Sequence, residues 1–294
     1  MGSCSAQSDC VKGRTMKTLL AFSGGIDSIY LLWKELRETE HEITAVFYTG
    51  ELIDTDMRNN FNVINVEDRK FADVRWIQLQ KISSAVAEVT RSFKITREAL
   101  DPKFLDKDIT NNNLFNHAPS LRIAMAVQAI NSGEYDRVVI GTSKDNDGFP
   151  LNKYGFRSNE SASSLMTKYF LKNAKRGELC LPFCDSEYTV AEAIQNLPDW
   201  LVAMNRSCQG MLSSNANSCN QCYKCMTHEY ARELLTEGKT TKEIFDLYMQ
   251  KSKMPDGTWR SQQVWIAEEV PCNISSPINT MPMPQWGRSV KIGE

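Results

Sequence analysis

Two groups of residues in this chain have the types and the spacing to do chemistry. The first is Ser23-Gly24-Gly25-Ile26-Asp27-Ser28, which closes the apolar run "LLAF" and leads directly into another apolar run. A glycine pair lets backbone come close to an anion, and the amides of a following helix point at it. Ser23 and Ser28 add hydroxyl donors. Asp27 is out of place beside a phosphate unless Mg²⁺ stands between them or the carboxylate caps the helix. The second group is Cys208-x10-Cys219-x2-Cys222-x2-Cys225. Four thiolates on one tight turn suit tetrahedral Zn²⁺ in a closed structural site. Overlapping C-x-x-C units also serve iron–sulfur clusters, and zinc is the preferred reading of the two. Cys225 starts a helix, whose first amides would help to hold a thiolate. His228, one turn further on, reads as a surface residue, with a fifth-ligand role as the alternative.

Composition narrows the classes that can host these groups. The 294 residues are 41% hydrophobic and 24% charged, with a net charge of −2. That is enough apolar material for one large domain with appendages, and no global basic field argues for nucleic acid. No apolar run approaches the roughly 18 residues of a membrane span. The opening "MGSCSAQSDCVKGRT" has no apolar signal core. Nine cysteines, four of them within 208–225, fit a metal site in a reducing cytoplasm better than a disulfide framework. Cys180 and Cys184 are read as packing residues, because Pro182 breaks any helix that would pair them. "EGKTT" (237–241) carries the end of a Walker loop, but Glu233 stands where its first glycine belongs; it is read as a helix stop followed by a Thr cap.

The elements that must position these groups alternate in type. "KTLLAF" (17–22), "EITAVFY" (42–48), "VRWIQLQ" (74–80) and "DRVVIGTS" (136–143) read as strands. Helices are expected over 29–39, 83–93, 120–133, 163–177, 189–197, 227–238 and 240–252. Residues 94–116 read as an insertion or loop, and strand signals fade beyond Gly148. The expected fold class is α/β, a parallel sheet with helices on both faces, followed by a C-terminal helical zinc-binding region.

Ser-Gly-Gly-x-Asp-Ser closing a first strand resembles the PP-loop of the ATP pyrophosphatases, a Rossmann-like fold. The resemblance implies ATP and Mg²⁺, with Ser23, Gly24, Gly25, Asp27 and Ser28 forming the pyrophosphate site and Phe47 and Tyr48 near the adenine. Together with "RSCQG" before "CNQCYKC", with "IGTSKDNDGFP" (140–150) and with "LPF" before "YTVAEAI", the chain resembles the 7-cyano-7-deazaguanine synthase (QueC) family from about Lys17 to Glu237. That resemblance implies a ligase using ATP, ammonia and a small carboxylate, 7-carboxy-7-deazaguanine or a relative, to give an amide and then a nitrile. The chain is read as a disordered extension (1–15), an ATP-binding α/β domain (16–150), a helical region with the zinc site (151–252) and an irregular Pro-, Ser- and Asn-rich tail (253–294). Lys144 is placed to face the phosphates, and Asp145 and Asp147 to assist Mg²⁺ or bind a ring N–H. Leu151-Asn152-Lys153 replace the family's Asp-Cys-Arg, Val190 replaces a lysine, and Pro119-Ser120-Leu121-Arg122 shifts a further motif by one register. The expected substrate loop is therefore altered while the ATP loop is kept. A variant that stops at the amide, or joins the deazapurine to another macromolecule, fits this pattern. A homodimer is compatible with it, and a membrane partner is not expected. The alternatives are a PP-loop tRNA sulfurtransferase with an iron–sulfur cluster, and a non-catalytic nucleotide-binding protein.

Overall fold

β1 (Lys17–Ala21) is the centre of the fold, and its sequence shows why. Thr18, Leu19 and Leu20 are all buried, as a strand covered on both faces requires. Successive side chains alternate between faces. Leu20 joins one hydrophobic cluster with Phe22, Ile29 and Leu79, while Leu19 joins a second with Val46, Ile123 and Val138. The computed structural model describes residues 14–52, 69–100, 118–142, 162–184, 186–205, 223–253 and 255.

The elements in chain order are β1, α1 (Ile26–Glu38), β2 (Glu42–Leu52), α2 (Arg69–Val89), β3 (Lys94–Leu100), α3 (Ala118–Asn131), β4 (Arg137–Val139), α4 (Ala162–Asn173), β5 (Glu178–Cys180), α5 (Val190–Asn196), α6 (Asp199–Ala203), α7 (Tyr223–Thr236) and α8 (Thr241–Ser252). The five strands run parallel in the order β3-β2-β1-β4-β5. Order reverses between β1 and β4, and in such sheets ligands bind outside the carboxyl ends of the strands at that point. Ser23–Ser28 lies there. No helix among the described residues is long and apolar enough to cross a membrane.

The α/β class with helices on both faces is as expected from the sequence, and three local expectations are corrected. Residues 74–80 are not a strand but part of α2. Their short alternation conceals a longer helical stripe, in which Leu79, Ile82 and Val86 are buried and Ile77 faces out. Residues 94–100 are not part of a loop but the edge strand β3, which pairs with β2 from Thr44↔Lys94 onward. Its sequence, KITREAL, carries the charges typical of an edge. β5 falls in the region expected to be helical, and three residues suffice to extend the sheet beside β4. The expected helix stop is present: Gly238 has φ +84°, and Thr240 and Glu243 form a reciprocal capping box at the start of α8.

At the amino end of the sheet a buried ion pair ties α1 to β4 and β5. Arg137 Nη1 donates to Glu35 Oε2 at 2.7 Å, and Nη2 donates to Cys180 Sγ at 3.1 Å. Cys180 thus packs in the core, as expected, and also accepts from a guanidinium. Removing one member of a buried pair leaves an uncompensated charge. Glu35→Gln is therefore expected to lower stability by about 3 kcal/mol, measured by guanidinium unfolding. A loss below about 1 kcal/mol would mean that water or other groups solvate Arg137.

Candidate phosphate-binding site

The loop after β1 is built by its own side chains. Phe22 N–H donates to Val46 O at 2.8 Å, which carries the ladder one residue past the strand. Gly24 then turns at φ +74°, a conformation that L side chains rarely adopt. A Cβ on Gly24 would run into Leu79 Cδ2, a buried side chain of α2. Ser28 braces the turn. Its hydroxyl donates to Gly25 O at 2.9 Å and accepts from Ser23 N–H at 3.2 Å. Ser23 Oγ lies 3.2 Å from Ser28 Oγ and accepts from Gly25 N–H at 3.4 Å. Ser28 is thus committed to shaping the loop rather than offering its hydroxyl outward. Gly25 is the helix N-cap, and the first intrahelical bond runs from Ile29 N–H to Gly25 O at 3.0 Å. The first turn of α1 therefore presents its amide end at the switch point, where an anion is stabilised.

Asp27 does not cap the helix. No side chain bonds the cap position, and Asp27 Oδ1 instead accepts a 2.6 Å hydrogen bond from the hydroxyl of Tyr188. Its Oδ2 makes no hydrogen bond among the described residues. A second bond runs the other way across the same interface, from Tyr30 O–H to Glu192 Oε1 at 2.8 Å. Tyr30 is one turn after Asp27 on α1, and Glu192 lies in the first turn of α5. The three rings between these bonds are nearly parallel: Phe183 and Tyr188 have centroids 3.8 Å apart, and Tyr30 lies about 6 Å from each. Burial and the Glu192 carboxylate both push the Tyr30 phenol well above its ordinary range, so it remains a donor at any working pH.

His228 is corrected from a surface residue to a buried one. Its Nδ1 lies 3.1 Å from Asn205 Nδ2; with the amide nitrogen as donor, Nδ1 accepts and the ring proton sits on Nε2. Burial lowers its pKa to about 4, against the opposing pull of the Asp27 charge. The neutral ring on α7 is thus electrostatically coupled to the first turn of α1, with α5 packed against both helices. Sequence reading missed Tyr188, Tyr30, Glu192 and Asn205, because these contacts join residues up to 162 positions apart and no local pattern marks them.

Phe47 and Tyr48 lie on β2 just past Val46, at the sheet end that carries the loop. Both are buried on opposite faces, and the Phe47 ring stacks on Trp76 at 6.4 Å. Cys225 is buried near the start of α7. Lys144, Asp145, Asp147, the 151–153 segment, Cys208, Cys219 and Cys222 lie outside the described residues, as does most of the 253–294 tail. Among the described residues no group of three or more His, Cys, Asp or Glu is placed to hold a metal ion.

No family model matches the chain, and no curated protein matches it in sequence. Among solved structures, the chain is similar to the U34-tRNA thiolase NcsA from Methanococcus maripaludis, a protein with a 4Fe-4S cluster. The identity is 12% and the TM-score 0.37, over 95% of this chain and 82% of that one. It is also similar to a predicted subunit of a tRNA methyltransferase from Methanocaldococcus jannaschii, with 16% identity and a TM-score of 0.32, over 84% of this chain and 96% of that one. Superpositions this loose assign neither a reaction nor a ligand to this chain.

Two outcomes follow from the geometry. Gly24→Ala forces an L residue to φ +74° and drives a methyl into Leu79, so the expected cost is at least about 1–2 kcal/mol. Thermal unfolding checks this, and an unchanged melting temperature would mean the turn has another conformation. The second concerns pH. An unfolded histidine protonates below about 6.5, whereas His228 stays neutral in the fold down to about 4. Between those values the unfolded chain binds the extra proton, so stability declines as pH falls, by roughly 3 kcal/mol in all, and this contribution is flat below pH 4. Replacing it, as in His228→Gln, should flatten the wild-type slope across that window in denaturant titrations. Parallel slopes for the two proteins would contradict it.

Proposed function

We propose that this chain is an ATP pyrophosphatase-type ligase, in which the Ser23–Ser28 loop holds the phosphates of ATP while the adenylyl group is transferred to a small carboxylate and pyrophosphate leaves. The observation that carries the reading is the turn at Gly24, with positive φ and no space for a side chain, between the carboxyl end of a central parallel strand and the amide end of α1. Backbone approach, amide dipoles and a switch-point position together favour a polyanion. A carboxylate in the first turn fits Mg²⁺-bound phosphate, because Asp27 Oδ2 carries no hydrogen bond among the described residues. Mg²⁺ would neutralise charge on the phosphates; the loop amides and Asp27 would hold the assembly. Phe47 and Tyr48 border the place where the adenine would lie, and Lys144 and Asp147 are the residues proposed to face the phosphates and the acceptor.

The chemistry is set by the leaving group. A carboxylate resists amination because oxide would have to depart. Attack of its oxygen on the α-phosphate releases pyrophosphate and gives an acyl adenylate. Ammonia then attacks the acyl carbon, AMP departs, and an amide remains. A second adenylation, now at the amide oxygen, followed by loss of AMP and protons, gives a nitrile. The protein's share is positioning and charge neutralisation. The substrate proposed is 7-carboxy-7-deazaguanine or a relative. The altered residues Leu151, Asn152 and Lys153 favour a member that stops at the amide or passes the deazapurine to a macromolecular amine. Cys208, Cys219, Cys222 and Cys225 are proposed to hold one Zn²⁺, a donor set that fits a closed structural site. In such a site the metal supplies folding energy rather than chemistry.

The test is mass spectrometry and nucleotide analysis of the protein with ATP, Mg²⁺, ammonia and 7-carboxy-7-deazaguanine. The expected products are AMP, pyrophosphate and an aminated deazapurine. ADP as the main nucleotide product, or no turnover of any carboxylate, would overturn the ligase reading. Metal analysis of anaerobically purified protein belongs beside it. Zinc near one per chain is expected, whereas iron with a charge-transfer absorbance would move the chain to the sulfurtransferase class.

A further inference from the structure

We infer that Tyr188 is a positioning residue for the phosphate site, fixing the Asp27 carboxylate so that its second oxygen is offered to the metal that accompanies the nucleotide. This inference rests on the reading of Ser23–Ser28 as an ATP loop. Its geometric basis is separate from that loop. The Tyr188 hydroxyl reaches Asp27 Oδ1 at 2.6 Å, in the short range of charge-assisted O–H···O⁻ bonds. The phenol is wholly buried and its ring is fixed face to face with Phe183. The stack restricts the ring, and the hydrogen bond in turn restricts the carboxylate it holds. One carboxylate oxygen is thereby occupied and the other is left without a hydrogen bond among the described residues.

The surroundings strengthen the assignment. Tyr30 and Glu192 form the opposite half of the clasp, so Tyr188 and Glu192 tie their segment to α1 at two points that flank the ring stack. Only the Tyr188 half touches the loop. The two halves therefore separate a structural function, shared by both, from a positioning function that belongs to Tyr188 alone.

The experiment compares wild type, Tyr188→Phe and Tyr30→Phe in calorimetric titrations with ATP, each with and without Mg²⁺, beside melting temperatures. Both substitutions keep the ring and delete one hydroxyl. For Tyr188→Phe the affinity for ATP in Mg²⁺ is expected to fall about tenfold, while the affinity without Mg²⁺ stays at the wild-type value. Tyr30→Phe should lose comparable melting temperature and keep the wild-type Mg²⁺ response. In an Asp27→Asn background, Tyr188→Phe should have no further effect on the Mg²⁺ response, as a double-mutant cycle requires of residues acting through one another. Equal losses with and without Mg²⁺, an unchanged Mg²⁺ response, or failure of Tyr188→Phe to fold would each overturn the inference and make the hydroxyl structural. If the wild type binds no ATP in either condition, the ATP reading itself fails, and the positioning claim falls with it.

Discussion

A backbone that must come within hydrogen-bond distance of a polyanion can carry no side chain at the point of approach, and its amides must be held still before the anion arrives. Gly24 and the Ser23–Ser28 brace meet both demands. The positive φ at Gly24 makes the turn, Leu79 closes the space behind it, and Ser28 ties Gly25 O to Ser23 N–H. Everything larger in the fold serves that corner. β1 must be central and buried on both faces so that its carboxyl end falls where the strand order reverses. α2 must pack Leu79 under the turn, and α1 must start at once so that its dipole faces outward.

The same corner carries a group unfavourable to that proposal, a carboxylate beside the proposed site for anions. Tyr188 donates to one oxygen of Asp27 and draws off part of its charge; His228 on α7 is neutral and bonded to Asn205. These groups come from three elements distant in sequence, and α5 brings them together by packing against both α1 and α7. A loop that could be drawn from six residues thus meets a hydrogen-bond partner at 188. This contact ties the helices after β5 to the sheet and gives the later half of the chain a part in the site.

What could be read in the sequence was what is local. The glycine pair and its serines stand in six consecutive residues, and the apolar run of β1 announces a central strand. The capping box at Thr240 and Glu243 is likewise a spacing of three. The errors have a common physical cause. Seven residues of α2 alternate by accident, and only a window of three turns reveals Leu79, Ile82 and Val86 as one stripe. β3 and β5 are edge strands, where half-exposed or very short segments carry little apolar signal and the pairing partner decides. The clasp of Tyr30 and Tyr188 had no signature at all, because tertiary packing alone brings a hydroxyl to a carboxylate 161 residues away.

The central claim is that nucleotide phosphates sit on the β1–α1 corner. Amide hydrogen exchange with and without Mg²⁺ and ATP tests it most directly. The account predicts new protection concentrated in peptides covering Phe22–Tyr30, with a smaller effect over Phe183–Glu192 through the clasp. Protection that leaves Phe22–Tyr30 unchanged while ATP is demonstrably bound would contradict it and place the nucleotide elsewhere.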